Sequence, residues 1–229
     1  MPDLVDNPAP PAAAGARRQL KTRDAGWAKA LAAWLAKHGV SPNAISVASV
    51  AFAAISGACY AATLLGPRPW AQTVLFLLAA GGIQLRLLCN LLDGMVAVEW
   101  GKGSRAGEVF NDLPDRLADT IVLCAVGYAA AGRHGPALGW AAAVAALLTA
   151  YLRVLGRSVG AGTYFIGPMA KQHRMAVLTV VSVIAAVAVH WDWHRRVLAI
   201  ALGVIIVGSI VTAVRRLRRI MKDLEGPAA

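Results

Sequence analysis

The acidic side chains of this sequence are unevenly distributed, and their clustering is the first indication of chemistry. Six of the twelve acids lie in one short segment: Asp93, Glu99, Glu108, Asp112, Asp115 and Asp119. Carboxylates crowded this closely repel one another unless a cation neutralises them. Oxygen donors of this kind suit Mg²⁺, Mn²⁺ or Ca²⁺ better than zinc. The cluster therefore predicts a divalent-cation site.

Two runs of residues in this segment have the spacing of a helix face. The first run contains Asn90 and Asp93, and the second steps by four through Gly107, Asn111, Asp115 and Asp119. Residues at such intervals stay on one side of a helix. Two helices that face each other along these sides would direct their oxygen-bearing side chains into one cavity.

The surroundings of this cluster are those of a membrane protein. Apolar residues make up 58% of the 229 residues and charged residues 15%, so most of the chain cannot be solvated surface. A bilayer core ~30 Å thick needs ~20 apolar residues per helix. Apolar windows of about this length cover residues 44–65, 71–92, 117–132, 136–152, 175–190 and 197–214. The sequence therefore predicts an all-α polytopic membrane protein with six transmembrane helices.

The cationic side chains predict how these helices are oriented. Of 23 Lys and Arg residues, 18 precede the first span, follow the last span, or lie in the 2–3 and 4–5 connections, and only four lie in the opposite loops. The positive-inside rule then places both termini in the cytoplasm. This pattern indicates a multi-pass protein of the inner (cytoplasmic) membrane, and it explains the net charge of +11 without a nucleic-acid partner.

The sequence outside the spans predicts the remaining organisation. Residues 1–21 are expected to form a disordered tail, and residues 22–40 an amphipathic helix that carries Trp27 and Trp34 on one stripe and lies on the membrane surface. Residues 41–215 would form the six-helix domain, and residues 216–229 a basic cytoplasmic tail. Three cysteines without a pairing pattern predict buried thiols rather than disulfides.

The acidic segment also carries a motif with defined intervals. It reads Asn90-x2-Asp93-Gly94-x2-Ala97-Val98-x8-Gly107-x3-Asn111-x3-Asp115. In this the chain resembles the CDP-alcohol phosphatidyltransferase family, whose motif is Asp-x2-Asp-Gly-x2-Ala-Arg-x8-Gly-x3-Asp-x3-Asp. Every interval matches. The chain departs from the family in having Asn at positions 90 and 111 and Val98 in place of Arg.

The resemblance implies a six-span enzyme that transfers a phosphatidyl or phospho-alcohol group from a CDP-linked lipid donor, such as CDP-diacylglycerol, to a small alcohol, with release of CMP. Carried over by position, it implies that Mg²⁺ or Mn²⁺ is bound by Asn90, Asp93, Asn111 and Asp115. It also makes Asp115 the candidate base that acts on the acceptor hydroxyl. The two Asn substitutions remove two negative charges, which weakens the expected binding of a second cation.

Other residues of the segment take roles around this centre. Gly94, Ala97 and Gly107 are expected to border the nucleotide, because small residues let a phosphate approach the backbone. Glu108 and Asp119 lie outside the family motif and are candidates to restore the lost negative charge. The resemblance also allows a homodimer, since homodimers are common in the family.

The predicted 4–5 connection is basic. It contains Arg153, Arg157, Lys171 and Arg174, for which the resemblance implies binding of phosphate on the acceptor or on a lipid. The alternative is ordinary positive-inside charge, which also applies to Lys102 and Arg105. Arg86, within the second span, needs a partner because an isolated charge in a membrane is costly.

Two other functions stay open at this stage. A non-catalytic relative that binds nucleotide or lipid and supports a partner enzyme would explain the two Asn residues and Val98. A small transporter with an intramembrane acid pair would predict inverted repeats or broken helices, and neither pattern is evident in the sequence.

Overall fold

The computed structural model describes residues 25–66, 68–101 and 106–226, and within these ranges the chain is all-helical, as predicted. The α-helices there are α1 (Gly26–Lys37), α2 (Pro42–Ala62), α3 (Pro69–Glu99), α4 (Gly107–Ala129), α5 (Gly135–Ser158), α6 (Lys171–Ala188) and α7 (His194–Leu224). Short 3₁₀ turns, Thr63–Leu65 and Val189–Trp191, extend α2 and α6. The predicted tail 1–21, Lys102 and Arg105 lie outside the described residues.

Within the described residues, five helices are long and apolar enough to cross a membrane: α2, α3, α5, α6 and α7. The third predicted span, residues 117–132, falls largely on α4. Asp112, Asp115, Arg116 and Asp119 make α4 too polar to be identified by length and composition, so the count of six spans stays a prediction. α7 passes residue 215 without a break and ends at Leu224, so the predicted basic tail begins inside a helix.

Local sequence signals explain where several helices begin. The Ser41 hydroxyl accepts a hydrogen bond from the Ala44 amide at 3.2 Å, and Pro42 is the first residue of α2. Pro69 likewise begins α3. A left-handed glycine, Gly66 (φ 64°), ends the turn that follows α2. These signals reverse the chain between α2 and α3, which then pack against each other.

The acid-bearing helix α4 is packed between two neighbouring helices. It packs against α2 on one side and α5 on the other, while α3 packs against α6 and α5 against α7. Gly127 and Gly139 let α4 and α5 approach closely, since a Cβ on Gly127 would lie 2.6 Å from the Gly139 Cα. Fully buried apolar side chains such as Phe76, Val122 and Leu202 fill the interior. The polar side of α4 therefore faces protein.

The N-terminal helix α1 buries a small-residue face. Ala28, Ala32 and Ala36 are buried against apolar residues of α3 such as Leu92 and Val96. Its two tryptophans face outward, with Trp27 and Trp34 56% and 55% exposed. This arrangement leaves an aromatic surface open, and its contact with a membrane surface stays a prediction.

Candidate active site

The two acids that the motif keeps are both buried and lie close enough to interact. Asp93, near the end of α3, is 4% exposed, and Asp115, on α4, is 7% exposed. The charge of Asp115 acts on Asp93, and the ammonium of Lys171, at the start of α6, acts on both. Three helices thus supply the centre of the site, in the region that the helical spacing predicted.

One carboxylate oxygen of Asp93 accepts a hydrogen bond, and the other has no hydrogen-bond partner. Its Oδ2 accepts a hydrogen bond of 2.6 Å from the hydroxyl of Ser46, a buried residue of α2. Its Oδ1 is buried and has no hydrogen-bond partner in the structure. Sequence reasoning missed Ser46, because a serine in an apolar helix carries no sign of a contact to a residue so distant in the chain.

Asp115 is paired with cations from two other helices. Lys171 Nζ contacts its Oδ2, and Arg86 Nη2 lies 3.7 Å from its Oδ1. Arg86 also donates a hydrogen bond of 3.2 Å to the Asp115 backbone carbonyl. The Oδ1 atom accepts no hydrogen bond. The carboxylate is therefore oriented through one oxygen, while the other keeps its acceptor capacity.

Asp119 joins two fully buried arginines. Arg86 Nη2 donates to its Oδ1 at 2.6 Å, and Arg174 Nη2 donates to its Oδ2 at 2.8 Å. Arg174 further donates to the Met169 carbonyl at 2.9 Å and to the Thr149 hydroxyl at 3.2 Å. The expectation that Arg86 requires a partner is confirmed. This network joins α3, α4, α5 and α6 directly beside the acid pair.

Two further acids of α4 pair with α5. Asp112 accepts hydrogen bonds from Arg153 and, at 2.8 Å, from Arg116. Glu108 and Arg157 form a more exposed pair with a separation of 3.1 Å. Together with the pairs at Asp115 and Asp119, these contacts give every member of the predicted phosphate-binding set an acid partner.

The remaining motif residues lie at the edges of this site. Asn90, one turn before Asp93, is half-buried, and its amide nitrogen is buried without a partner. Asn111, one turn before Asp115, is exposed. Val98, at the position of the family's Arg, is 50% exposed. The small residues predicted to border the nucleotide are half-buried: Gly94, Ala97 and Gly107.

The oxygen donors of this site are suited to binding one hard divalent ion, although they do not form a site made of carboxylates alone. Among the described residues, no group of three His, Cys, Asp or Glu side chains is arranged to hold a metal. Asp93 Oδ1 and Asp115 Oδ1 are nevertheless buried and without hydrogen-bond partners. A 180° rotation of the Asn90 amide would turn its oxygen toward the position of the unpartnered nitrogen. Two carboxylate oxygens and an amide oxygen match the ligand preference of Mg²⁺ or Mn²⁺.

The connection between α5 and α6, which leads into Lys171, is fastened to α7. Arg216, 5% exposed, donates to the Ile166 carbonyl at 3.1 Å and to the Thr149 carbonyl. The Met169 amide donates to the Thr212 hydroxyl at 2.9 Å. Sequence reasoning assigned Arg216 to a basic tail, because a cation after the last apolar window gives no sign of burial. Its contacts fix the segment that brings Lys171 to Asp115.

Two known proteins match most of this chain in sequence. The inner membrane protein YnbA of Escherichia coli K12 is 24% identical over 189 residues, which cover 82% of this chain and 88% of that protein. The phosphatidylinositol phosphate synthase of Streptomyces avermitilis is 26% identical over 200 residues, which cover 84% of this chain and 77% of the synthase. No family model matches the chain.

Solved structures of the phosphatidylinositol phosphate synthase of Mycobacterium tuberculosis share the fold. The structure with CDP-DAG bound gives a TM-score of 0.69 at 20% identity and covers 90% of this chain and 100% of the synthase. The structure in complex with manganese and citrate gives a TM-score of 0.67 at 19% identity, with coverages of 88% and 93%. These synthases belong to the family that the motif resembles. At this level of identity the structural similarity establishes the fold.

Proposed function

We propose that this chain is a membrane enzyme of phospholipid synthesis. It transfers a phosphatidyl or phospho-alcohol group from a CDP-linked donor, such as CDP-diacylglycerol, to an alcohol acceptor and releases CMP. The observation that carries the proposal is the meeting of Asp93 and Asp115, the two acids that the motif keeps, in one buried site. The relatives named phosphatidylinositol phosphate synthase, one of them solved with CDP-DAG bound, support the same reaction.

The enzyme is a multi-pass inner-membrane protein in which α4 is the sixth span. The deeper acids of α4, Asp115 and Asp119, are paired inside the protein. Val109, Leu113 and Leu117 on its outer side are apolar and exposed. A helix with this division keeps its charges away from lipid, so its polarity is no barrier to crossing the membrane. The match to an inner membrane protein of Escherichia coli supports the location.

The orientation follows from charge, with both termini and the α5–α6 connection in the cytoplasm. In this orientation α1 lies at the cytoplasmic interface, with Trp27 and Trp34 toward the headgroups. The amphipathic stripe and the exposure of both tryptophans support this position. A homodimer is proposed on the resemblance alone.

The metal of the proposed enzyme is Mg²⁺ or Mn²⁺. Asp93 and Asp115 would hold it, with amide oxygens of Asn90 and Asn111 as the other candidate ligands. The ion would neutralise the donor pyrophosphate and the departing CMP. The related synthase solved with manganese supports a divalent cofactor. Glu108 and Asp119 add negative charge nearby but are bound to arginines, so their role is electrostatic rather than ligation.

Asp115 is the base of the proposed reaction. The acceptor hydroxyl gives its proton to Asp115 while its oxygen forms a bond to the β-phosphorus of the donor. The bond from that phosphorus to the bridging oxygen breaks, and CMP leaves with the bridging oxygen. Lys171 contacts Oδ2, so Oδ1 would face the ion with one lone pair and receive the proton with the other. A positioned base of this kind contributes about 10²- to 10⁴-fold to the rate.

Substrate positioning falls to the residues around the acid pair. Gly94, Ala97 and Gly107 border the nucleotide, where their small side chains leave room for the donor. The cations proposed to bind acceptor or lipid phosphate are Arg153, Arg157, Lys171 and Arg174. A phosphate would displace Glu108 from Arg157 at little cost, since an exposed ion pair is weak. Arg174 is held by Asp119 and contributes its charge from within the protein.

One specific observation favours a second function, that of a non-catalytic relative that binds nucleotide or lipid for a partner enzyme. Three motif positions have lost the charged residue of the family, at Asn90, Val98 and Asn111, and Lys171 already neutralises the proposed base. A protein of this kind would still bind the CDP-linked donor but would not catalyse transfer of its phosphatidyl group.

Release of CMP distinguishes the two functions. The purified protein is incubated with CDP-diacylglycerol, Mg²⁺ or Mn²⁺, and a panel containing glycerol phosphate, serine, inositol and inositol phosphate. We expect CMP release that depends on both the metal and one of these alcohols. No CMP with any acceptor, from a preparation that still binds CDP-diacylglycerol, would reject the enzyme and leave the binding protein.

A further inference from the structure

We propose that the Lys171 ammonium takes the place of one divalent cation, so that this site holds a single Mg²⁺ or Mn²⁺ ion. The inference rests on the proposed function, since it concerns the same acid pair. It assigns Lys171 a role as a resident counter-ion of the site, distinct from binding a phosphate of the acceptor.

The first support is the position of Lys171. Its ammonium contacts Asp115 Oδ2, and its charge acts on Asp93 as well. A positive charge that contacts one buried carboxylate and acts on the other supplies part of the neutralisation that a second divalent cation would supply. Lys171 is the first residue of α6, and the α5–α6 connection that precedes it is fixed to α7 by Arg216 and Thr212. The ammonium is therefore positioned by the fold.

The second support is the set of oxygens left without partners. Asp93 Oδ1 and Asp115 Oδ1 accept no hydrogen bond, although both residues are more than nine-tenths buried. Arg86 Nη2 lies 3.7 Å from Asp115 Oδ1, beyond hydrogen-bonding distance. Buried polar atoms without partners are uncommon in native proteins and mark a place where a partner is missing. With the unpartnered amide of Asn90, they supply the buried donors for one ion, whereas the remaining candidate ligand, Asn111, is exposed.

The third support is the balance of charge around the pair. Three buried carboxylates, those of Asp93, Asp115 and Asp119, are matched by three cations, namely Arg86, Lys171 and Arg174. One divalent ion can enter with the pyrophosphate of the donor, whose negative charge matches it. A second ion would add two positive charges with no carboxylate to face them, and unpaired charge is costly at a buried site. Because positions 90 and 111 are Asn and carry no charge, the single positive charge of Lys171 is enough to replace a second divalent cation.

Counting Mn²⁺ tests this inference without measuring activity. The purified full-length protein in detergent, with CDP present, is titrated with Mn²⁺, and free Mn²⁺ is followed by electron paramagnetic resonance. We expect one Mn²⁺ per chain. Lys171→Met, which frees Asp115 Oδ2, should raise the Mn²⁺ affinity about tenfold or more. Lys37→Met removes one exposed cation at the end of α1 and should change that affinity less than about twofold.

Two or more Mn²⁺ ions per wild-type chain, or none, would overturn the inference. So would an unchanged affinity in a folded Lys171→Met variant, which would leave Lys171 as a phosphate ligand only. The wild-type count requires no variant and keeps the test decisive if Lys171→Met fails to fold. CMP release is measured on the same preparation, so failure of the proposed function is seen separately from failure of the ion count.

Discussion

Replacing Asp93 by Asn is expected to lower CMP release from CDP-diacylglycerol by about 10³-fold or more. The substitution keeps the size of the side chain and removes its charge. Among the buried carboxylates of the described residues, that of Asp93 has a free oxygen and no direct cation partner. The amide can still accept the hydrogen bond from Ser46, so folding should survive. Initial rates at saturating acceptor and a range of Mg²⁺ concentrations measure the effect.

A matched control separates this loss from a general effect of the substitution. Asp223→Asn makes the same chemical change in the exposed last turns of α7, where Asp223 pairs with Arg219 at 3.2 Å. Its rate should stay within about twofold of wild type, because exposed ion pairs contribute little. A rate for Asp93→Asn within tenfold of wild type would show that Asp93 does not hold the metal.

Replacing Asp119 by Ala is expected to destabilise the fold by about 3–5 kcal/mol. The change removes the carboxylate that both Arg86 and Arg174 contact, and it leaves two fully buried guanidinium groups without their main partner. The cost of unpaired buried charge exceeds the loss of an ordinary contact. Denaturation in mixed detergent micelles, followed by circular dichroism, measures the difference from wild type.

Asp223→Ala serves as the control for stability and should cost less than about 1 kcal/mol. A comparably small cost for Asp119→Ala would mean that the two arginines find other partners, with Asp115 the nearest acid to Arg86. In that case Asp119 would not be the residue that joins the four helices beside the active site.

Periodicity and spacing in the sequence predict much of the fold and the location of the site. Five of the apolar windows each lie within a helix or its 3₁₀ extension. The remaining window, residues 117–132, covers the C-terminal half of α4 and the three residues after it. The intervals of three and four residues predict that the oxygen-bearing side chains of two helices face one cavity; Asp93 and Asp115 are both buried, whereas Asn111 is exposed. These features follow from local rules, because one face of a helix is determined by residues close in sequence.

The partner of each buried charged side chain, in contrast, depends on contacts between residues that are distant in the sequence. Asp119 was expected to restore charge for a metal, but its pairing with Arg86 and Arg174 depends on how α3, α4 and α6 pack. Burial of Arg216 beneath the α5–α6 connection has the same origin. Mean hydropathy does not identify α4 as a span, since it averages the paired charges of one side with the apolar residues of the other.

The reverse reaction tests the central claim most directly, because it requires no knowledge of the acceptor. Purified protein is placed in vesicles made from lipid of the membrane in which it was produced, and labelled CMP and Mg²⁺ are added. An enzyme that transfers a phosphatidyl group will move it from its own lipid product to CMP, which forms labelled CDP-diacylglycerol and releases the alcohol. Asp93→Asn will not. No labelled CDP-diacylglycerol from wild-type protein that binds unlabelled CDP-diacylglycerol would contradict the account.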